Sequence, residues 1–403
     1  MKSVPTLIRS MGVLTPFGEG TDVFWHGLFS ENSVRSTREL SGAWGAPFLC
    51  SGGFTDDRLA ESVLGLKHLR SLSRESRLFV AAAVSALRIA GFQKLPEADP
   101  LLGVSVGTMF SGHQDFSEAA ALTMQGHANF VNPALAPEAG YNAPASHTSI
   151  WTGAGGFNLT VSAGRASVME AVRVACAELE AGRSSKALAG GVDVLSLPLA
   201  PIFDMTSCSE ATRLSQGDIG ARFSESALCF LLQPISEESK KESSIHIEAV
   251  DVGYSPAVGR DRLRATEEAM REFLDRAAVA PNQIDAVFYS SNCHSELDWL
   301  ASRTILAVIG PGIPVCSSSF ALGDCLGVSG GIQMAGAMIS LQEQMLPPRH
   351  HFSDWEDRGL STSIVSADCS ATLLRRILVY TLDPDGFAGI ALLRRGPLGG
   401  YDA

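Results

Sequence analysis

The chain has 403 residues, 45% of them apolar and 39 of them Gly, and its formal net charge is -12. This acidic balance, with no run of Lys or Arg and no zinc-finger spacing, argues against nucleic acid or an anionic membrane as a partner. The length exceeds what one simple core supports and predicts two domains or a duplicated unit.

The N-terminal segment contains an apolar stretch that Arg9 and Pro16 interrupt. It is too short for a signal peptide or a membrane-spanning helix, so the sequence favours a soluble, cytoplasmic protein. Eight Cys are scattered singly without a CxxC pair, which predicts reduced and mostly buried thiols. The nine His are scattered too, apart from one adjacent pair, so neither a metal site nor a cofactor is expected.

The hydrophobic pattern of the first half alternates between short buried strands and amphipathic helices. In chain order it predicts a strand over 5–16, helices over 22–29 and 73–90, a strand over 101–106, a helix from 143 to 150, a strand over 157–162, a helix over 166–181 and a strand over 186–194. The last three elements follow one another closely, which predicts a βαβ unit with parallel strands.

A polar run at 237–244, EESKKESS, predicts a surface loop near the middle of the chain. A boundary there divides the chain into an N-terminal half, residues 1–238, and a C-terminal half, residues 239–403. The second half repeats the rhythm, with strands over 245–252, 284–290 and 389–393 and helices over 262–278, 300–309 and 326–341. Two similar βα arrays predict a pseudo-duplicated α/β protein.

Several short segments match one protein family in their order and their separations. They read MGVLTPFG at 11–18, FW at 24–25, GVSVGT at 103–108, NLTVS at 158–162, AGGV at 189–192 and LPP at 346–348, and Gly323, Leu326, Gly327 and Gly330 keep the frame of a GHxLGxxG motif. On these residues the chain resembles the β-ketoacyl synthase branch of the thiolase superfamily over nearly its whole length. The resemblance implies a thiolase-like fold, with two pseudo-duplicated βα halves stacked as α-β-α-β-α layers.

The main departure from the family pattern is the position of the nucleophile. The family reads NLTVSTACAS, with a nucleophilic Cys at the start of a helix, where backbone N–H groups and the helix dipole favour a thiolate. Here residues 158–167 read NLTVSAGRAS, which places Arg165 at that position. Arginine stays protonated and has no free lone pair at neutral pH. Covalent acyl transfer needs an activated thiol or hydroxyl, so the resemblance implies that this step is lost.

The resemblance assigns three further positions of the former site. His294 keeps the first of the family's two His, Ser319 stands where the family has Lys, and Asp324 stands where it has the second His. We expect Arg165 and Asp324 to form a buried ion pair that fills the old cavity, with His294 as a candidate third member, because an unpaired buried charge is costly. The alternative is an Arg165 that points to solvent or to a partner subunit.

Other polar residues near these motifs are interpreted as structural. Ser162 and Ser167 flank the turn but do not lie at its elbow, so they are poor substitutes for the nucleophile. His147 and Glu225 stand at positions that are structural in the family. The segment 386–389 is similar to the start of the family's C-terminal GFGGTN loop, without its last two residues.

Two groups of residues are candidates for contact with an acyl chain or a second subunit. Met109, Phe110 and Phe116 follow a strand in a region that lines the acyl tunnel or the dimer seam in the family, and ordinary core packing is an equal alternative. The family's obligate dimers pair one strand across the two-fold axis. In this chain that strand comprises Asn158, Leu159, Thr160, Val161 and Ser162.

A subunit without the nucleophile can still supply half of such an interface and part of the acyl channel. The resemblance therefore implies a chain-length-factor-like subunit that heterodimerises with an active ketosynthase and works on acyl carrier protein substrates, as in type II polyketide or aryl polyene systems. Chain-length factors commonly carry Gln at the nucleophile position, so Arg165 departs from their pattern. The chain length and the divergent residues after His294 favour the aryl polyene type.

Two other functions are compatible with the sequence. In the first, Arg165, His294 and Asp324 form a non-covalent site that, for example, decarboxylates malonyl groups, since Arg binds carboxylates well. In the second, the chain is a homodimeric scaffold that binds acyl groups. Whether the chain is an enzyme is therefore left open, although we expect it to be inactive alone.

Overall fold

The computed structural model describes most of the chain. The described residues are 5–30, 34, 36–43, 46–65, 69, 72–92, 98–133, 136–202, 223–235, 243–256, 259–290, 295–347 and 373–396. The predicted boundary between residues 238 and 239 lies outside these ranges and stays a prediction.

Strands and helices alternate along the chain. The strands are β1 (Thr6–Thr15), β2 (Gly18–Glu19), β3 (Ser36–Leu40), β4 (Phe48–Gly52), β5 (Leu102–Gly107), β6 (Asn158–Val161), β7 (Lys186–Asp193), β8 (Ser226–Pro234), β9 (Ile245–Tyr254), β10 (Ala286–Tyr289), β11 (Val315–Cys316), β12 (Arg376–Leu382) and β13 (Phe387–Arg395). The helices are α1 (Thr21–Leu28), α2 (Asp57–Leu64), α3 (Arg74–Ile89), α4 (His113–Met124), α5 (Ala143–Thr152), α6 (Ser167–Glu180), α7 (Gly259–Ala277), α8 (Ser295–Val308), α9 (Ser319–Leu322) and α10 (Ser329–Glu343).

The two halves of the chain repeat one strand order. Neighbours in the first half follow the order β6-β5-β7-β8-β1, and those in the second half follow β11-β10-β12-β13-β9. In each half the first three strands of this order are parallel, and the last two pair antiparallel. Residues Thr6–Ile8 of β1 pair with Ile245–Ile247 of β9 and join the halves. This repeat is the pseudo-duplication that the sequence predicts.

Helices cover both faces of each half-sheet. One apolar cluster unites Val168 of α6 and Ile332 of α10 with Leu228 of β8 and Val379 of β12, so these two helices lie between the two half-sheets. A second cluster packs α3 on the outer face of the first half-sheet, and a third packs α7 and α8 on the outer face of the second. The expected α-β-α-β-α layer order is confirmed.

Small residues let the start of α10 pass close to the start of α6. A Cβ on Gly331 would lie 2.5 Å from the Val168 side chain and 2.9 Å from that of Leu228, and one on Gly330 would lie 2.8 Å from the Met169 sulfur. Real Cβ atoms do not approach so closely, so only glycine allows this contact. The contact matters for the site, because α6 begins just after residue 165 and α10 begins just after residue 324.

The structure also contains elements that the sequence did not predict. These are β2, the β3–β4 hairpin, α2, α4, β8, β11, α9 and β12. The helix predicted over 300–309 begins earlier, at Ser295, and the one predicted over 326–341 begins later, at Ser329. Among the described helices, none combines the length and the apolar composition that crossing a bilayer requires.

Candidate functional site

The turn between β6 and α6 carries Arg165. Gly164 adopts a φ of +56°, in the left-handed region that favours glycine, and a Cβ there would lie 2.4 Å from the Asp383 carboxylate. The Ser167 hydroxyl accepts a hydrogen bond of 2.9 Å from the Ala163 N–H, which closes the turn before α6 begins. These constraints hold residue 165 at the boundary between the two halves.

The Arg165 side chain lies between two buried carboxylates from the second half. Its Nε and Nη2 atoms are 2.7 and 2.6 Å from Asp324 Oδ2, and its Nη1 atom is 3.3 Å from Asp383 Oδ2. The Arg165 side chain is 13% exposed, and both aspartate side chains are 1% exposed. The structure thus brings Arg165 and Asp324 together and adds Asp383. We call these three residues the ion cluster.

Asp324 is oriented by its own surroundings at the start of α10. Its Oδ1 atom accepts hydrogen bonds from the Leu326 N–H at 2.9 Å and from the Ser329 hydroxyl at 2.8 Å. Leu326 has a φ of +54°, which is uncommon for a residue with a side chain. Since Oδ1 is occupied in this way, Oδ2 is the atom that faces Arg165.

Asp383 is the member of the ion cluster that the sequence did not reveal. It follows β12, and its Oδ2 atom accepts a hydrogen bond of 2.9 Å from the Arg165 N–H while its Oδ1 atom accepts one of 2.9 Å from the Asp385 N–H. A usable signal was present, because the sequence DPD at 383–385 directly precedes the segment 386–389 that resembles the family's C-terminal loop. A guanidinium buried between the halves needs carboxylates, and this turn supplies one.

The two carboxylates of the ion cluster keep the Arg165 guanidinium charged. Burial alone would lower the pKa of Arg165, but the charges and hydrogen bonds of Asp324 and Asp383 outweigh it and raise that pKa above its ordinary value. Each of the three guanidinium nitrogens lies near one of the two carboxylates. The guanidinium nitrogens therefore interact with carboxylates of the protein itself.

Ser319, another predicted position of the former site, is held by contacts outside the ion cluster. Ser319, in α9, is 3% exposed, and its hydroxyl accepts a hydrogen bond of 3.0 Å from Gln333 Nε2. The Gln333 Oε1 atom accepts from the Ser318 N–H at 2.9 Å, so Ser319 is tied to α10. His294 lies outside the described residues.

Two hydroxyls and one thiol lie near the turn, where a substitute nucleophile would be expected. Ser167 is fully buried and donates to the Gly164 carbonyl, while Ser162 is exposed after the end of β6. Cys325 is 1% exposed, and burial raises the pKa of its thiol to about 12, which disfavours the thiolate. None of these three groups has the environment of a nucleophile.

Met109 and Phe110 lie beside the ion cluster in an apolar cluster with Leu195 and Leu326. Their backbone N–H groups donate to Asp193 at 2.9 and 2.8 Å. Burial raises the pKa of Asp193 to about 6 in spite of these hydrogen bonds. Asp193 thereby fixes the backbone that carries both residues.

Phe116 lies on a different surface from Met109 and Phe110. It is 63% exposed on α4 and borders an apolar trough of about 410 Å³, which we call the α4 trough. The trough is lined by Phe116, Ala119, Ala120, Thr123, Met124, Val131, Asn132, Pro133, Ala136 and Ala139. The three residues predicted as one tunnel wall are thus divided between two places.

β6 lies at the edge of the sheet and pairs with β5 on one side among the described residues. Asn158 anchors it to α5 by hydrogen bonds of 3.1 Å to the Ala145 carbonyl and 2.6 Å to the Ser149 hydroxyl. Leu159 is 41% exposed, and Ile150 of α5 is 75% exposed. An edge strand beside exposed apolar residues is suited to pairing with a second chain.

Glu225 and His147 take part in contacts within the fold. Glu225 is fully buried, lies 2.5 Å from the Arg74 guanidinium, and accepts a hydrogen bond of 3.0 Å from the Leu195 N–H. His147 contacts Glu138, a carboxylate with further hydrogen bonds at the start of α3. Within the described residues, no group of three or more His, Cys, Asp or Glu side chains is arranged to hold a metal ion.

Glu75, in the first turn of α3, predicts a pH dependence of stability. It is 2% exposed, and its Oε1 atom has no hydrogen-bond partner among the described residues. Burial, helped by the nearby Asp115 charge, raises its pKa from 4.5 to about 7. Between these values the folded state binds more protons than the unfolded state, so stability falls as pH rises. We expect Glu75→Gln to remove this fall, roughly 3 kcal/mol for a shift of this size, in urea unfolding at about pH 5 and about pH 8.

Glu180→Gln, at the exposed end of α6, is the matched control, and it should leave the pH dependence of unfolding unchanged. The comparison with the wild type isolates Glu75 from Asp193, which contributes in the same direction. Parallel pH profiles for the wild type and Glu75→Gln would show that the buried carboxyl does not titrate in this range.

The fold and the altered turn define a thiolase-like ketosynthase protein. A solved structure of the ishigamide ketosynthase/chain length factor has a TM-score of 0.82 at 16% identity, and the match covers 99% of this chain and 100% of that one. A type II polyketide synthase acyl-carrier protein in complex with its ketosynthase gives a TM-score of 0.76 at 18% identity, with 98% and 100% covered.

Family models agree with the structural comparison. The N-terminal domain of β-ketoacyl synthase matches residues 5–232, and its C-terminal domain matches residues 247–353. This chain belongs to the β-ketoacyl synthase family. One relative, the ketoacyl synthase alpha subunit of the tetracenomycin polyketide synthase of Streptomyces glaucescens, is 22% identical over 379 residues, which cover 86% of this chain and 87% of the relative.

Proposed function

We propose that the chain is a non-catalytic, chain-length-factor-like subunit that forms a heterodimer with an active β-ketoacyl synthase. One observation carries the proposal: the nucleophile position holds Arg165, buried and paired with Asp324 and Asp383. A guanidinium cannot form a thioester or an ester, and all three of its nitrogens already contact carboxylates of the ion cluster. The fold is one that a ketosynthase/chain length factor structure shares.

The exposed apolar surface of this chain supports a role in a complex. The free edge of β6, the exposed Leu159 and Ile150, and the α4 trough together present apolar area that a second ketosynthase chain would cover. In that arrangement the partner's Cys holds the acyl group. Phe116, or Met109 and Phe110, would form part of the wall that limits its length.

The same role implies a carrier protein and a type of pathway. The acyl carrier protein would deliver its substrate to the complex, which would work in a cytoplasmic polyketide, aryl polyene or fatty-acid-like pathway. Among these, we favour the aryl polyene type on the sequence alone.

Non-covalent malonyl decarboxylation has less support. That chemistry needs a guanidinium able to bind the substrate's carboxylate, whereas the nitrogens of Arg165 already lie within 3.3 Å of Asp324 or Asp383. A substrate would have to displace a buried aspartate that has further hydrogen bonds of its own. A homodimeric scaffold uses the same β6 edge, so the identity of the partner decides between it and the heterodimer.

Acylation by malonyl and acyl carrier proteins tests the proposal. We expect mass spectrometry of the isolated chain to find no covalent acyl adduct and no loss of carbon dioxide from malonyl carrier protein. With a cysteine-bearing ketosynthase from the same genome, we expect a one-to-one complex in which the adduct lies on that partner's Cys. An adduct on this chain, or turnover by this chain alone that Arg165→Ala abolishes, would show that it is an enzyme.

A further inference from the structure

A long stretch of the chain that includes the β6 edge contains no Lys or Arg. The chain has 31 Lys and Arg, or about one in thirteen residues, so the 70 residues at 95–164 would carry about five. They carry none. They do contain five acidic residues, Glu97, Asp99, Asp115, Glu118 and Glu138.

The same stretch supplies the surface that the proposed function assigns to a second chain. It includes α4, α5 and β6, and its exposed large apolar residues are Leu101, Phe116, Met124, Phe130, Tyr141, Ile150 and Leu159. Ala139, in the segment before α5, approaches Gly112 at the start of α4, and Asn158 of β6 is hydrogen-bonded to α5. We call this combination of α4, α5 and β6 the acidic face.

Two of the acids on this face have no basic partner. Asp99 is paired with Lys186 at 3.0 Å, and Glu138 contacts His147. By contrast, within the described residues neither Asp115 nor Glu118 has a basic nitrogen within 4 Å.

The pKa of Asp115 reflects the acidic groups around it. Burial, together with the charges of Glu138 and Glu118, raises its pKa from 3.8 to about 6, and Arg77 of α3 offsets this only in part. Glu75 of α3 is a further carboxyl in this neighbourhood. Within the described residues, the negative charge of Asp115 and Glu118 is therefore compensated only in part.

We propose that the acidic face selects a partner that is not a copy of this chain and that presents Lys or Arg side chains opposite Asp115 and Glu118. The inference rests on the proposed function and specifies the chemistry of its partner. A two-fold homodimer brings the same patch of both copies together. Two copies of a patch without Lys or Arg cannot neutralise each other's acidic groups. Like charges that face each other across an interface therefore disfavour the homodimer. A basic ketosynthase surface would supply the missing charge.

Salt and charge variants test this inference with the full chain and a cysteine-bearing ketosynthase from the same genome. We expect the dissociation constant of the complex to rise about tenfold or more between about 50 and 500 mM NaCl. Glu118→Lys should weaken the complex by a similar factor at low salt, and Glu118→Gln should act in the same direction with a smaller effect. In sedimentation of this chain alone, Glu118→Lys should increase self-association, because it introduces a cation opposite the acids of the other copy.

Glu272→Lys is the control, because Glu272 is 72% exposed on α7, outside the acidic face. It should leave both association equilibria unchanged. A complex that forms but is insensitive to salt and to both Glu118 variants overturns the inference and leaves the proposed function standing. A tight homodimer of the wild-type chain at low salt also overturns the inference. Failure to form a complex at any salt concentration overturns the proposed function and the inference with it.

Discussion

Replacement of Arg165 by Ala is expected to lower the free energy of unfolding by about 3–5 kcal/mol. The change leaves Asp324 and Asp383, each 1% exposed, as two buried carboxylates without a counter-charge. It also removes the contact that joins the turn before α6 to the start of α10. Urea or guanidinium unfolding, followed by circular dichroism, measures the change.

Arg183→Ala is the matched control for this prediction. Arg183 also pairs with a carboxylate, Glu178 at 2.7 Å, but its side chain is 62% exposed, so its removal should lower the free energy of unfolding far less than Arg165→Ala does. The combined variant Arg165→Met, Asp324→Asn and Asp383→Asn should recover much of the lost stability, because it removes the stranded charges as well as the cation. If Arg165→Ala were as stable as Arg183→Ala, the ion cluster would not hold the two halves together.

Replacement of Leu159 by Asp is expected to weaken the complex with the ketosynthase by on the order of 100-fold or more, the equivalent of two factors of ten in affinity. Leu159 is 41% exposed on the edge strand β6 and would become buried when that strand pairs. A carboxylate there would be desolvated on a face that already carries Asp115 and Glu118, neither of which has an ion-pair partner among the described residues. Analytical ultracentrifugation or interferometry of the purified partners measures the change.

Ile89→Asp serves as the control for the interface prediction. Ile89 is another large apolar residue, 59% exposed, at the end of α3. The same substitution there should leave the affinity within about twofold, because isolated exposed apolar residues contribute little. Equal effects at both positions would mean that β6 is not at the centre of the interface.

Much of the fold could be predicted from the sequence because its signals are local. Long amphipathic or fully apolar segments such as 73–90 and 186–194 reveal their structure through the spacing of their side chains. β3, STREL, is half-exposed and polar, and β11 has two residues, so neither carries such a pattern. Their strands form through pairing with residues distant in sequence, which periodicity cannot show.

The site could be predicted in part for a related reason. Arg165 and Asp324 stand within motifs whose neighbours are recognisable, so their proximity could be expected. Asp383 was missed because its role depends on where a turn between two strands lies in space. The tunnel prediction grouped Met109 and Phe110 with Phe116, yet the α4 helix carries Phe116 outward while Asp193 holds the other two near Leu326.

The paired carboxylates have an evolutionary consequence. If a single substitution returned sulfur to position 165, Asp324 and Asp383 would lie beside the new thiol, and their charges would disfavour the thiolate that acyl transfer requires. Position 319 would still carry Ser where the family pattern has Lys. Covalent acyl transfer would therefore need several coordinated changes, and intermediates along that path would carry buried, unbalanced charge. On the proposed function, that reaction is difficult to reach one step at a time.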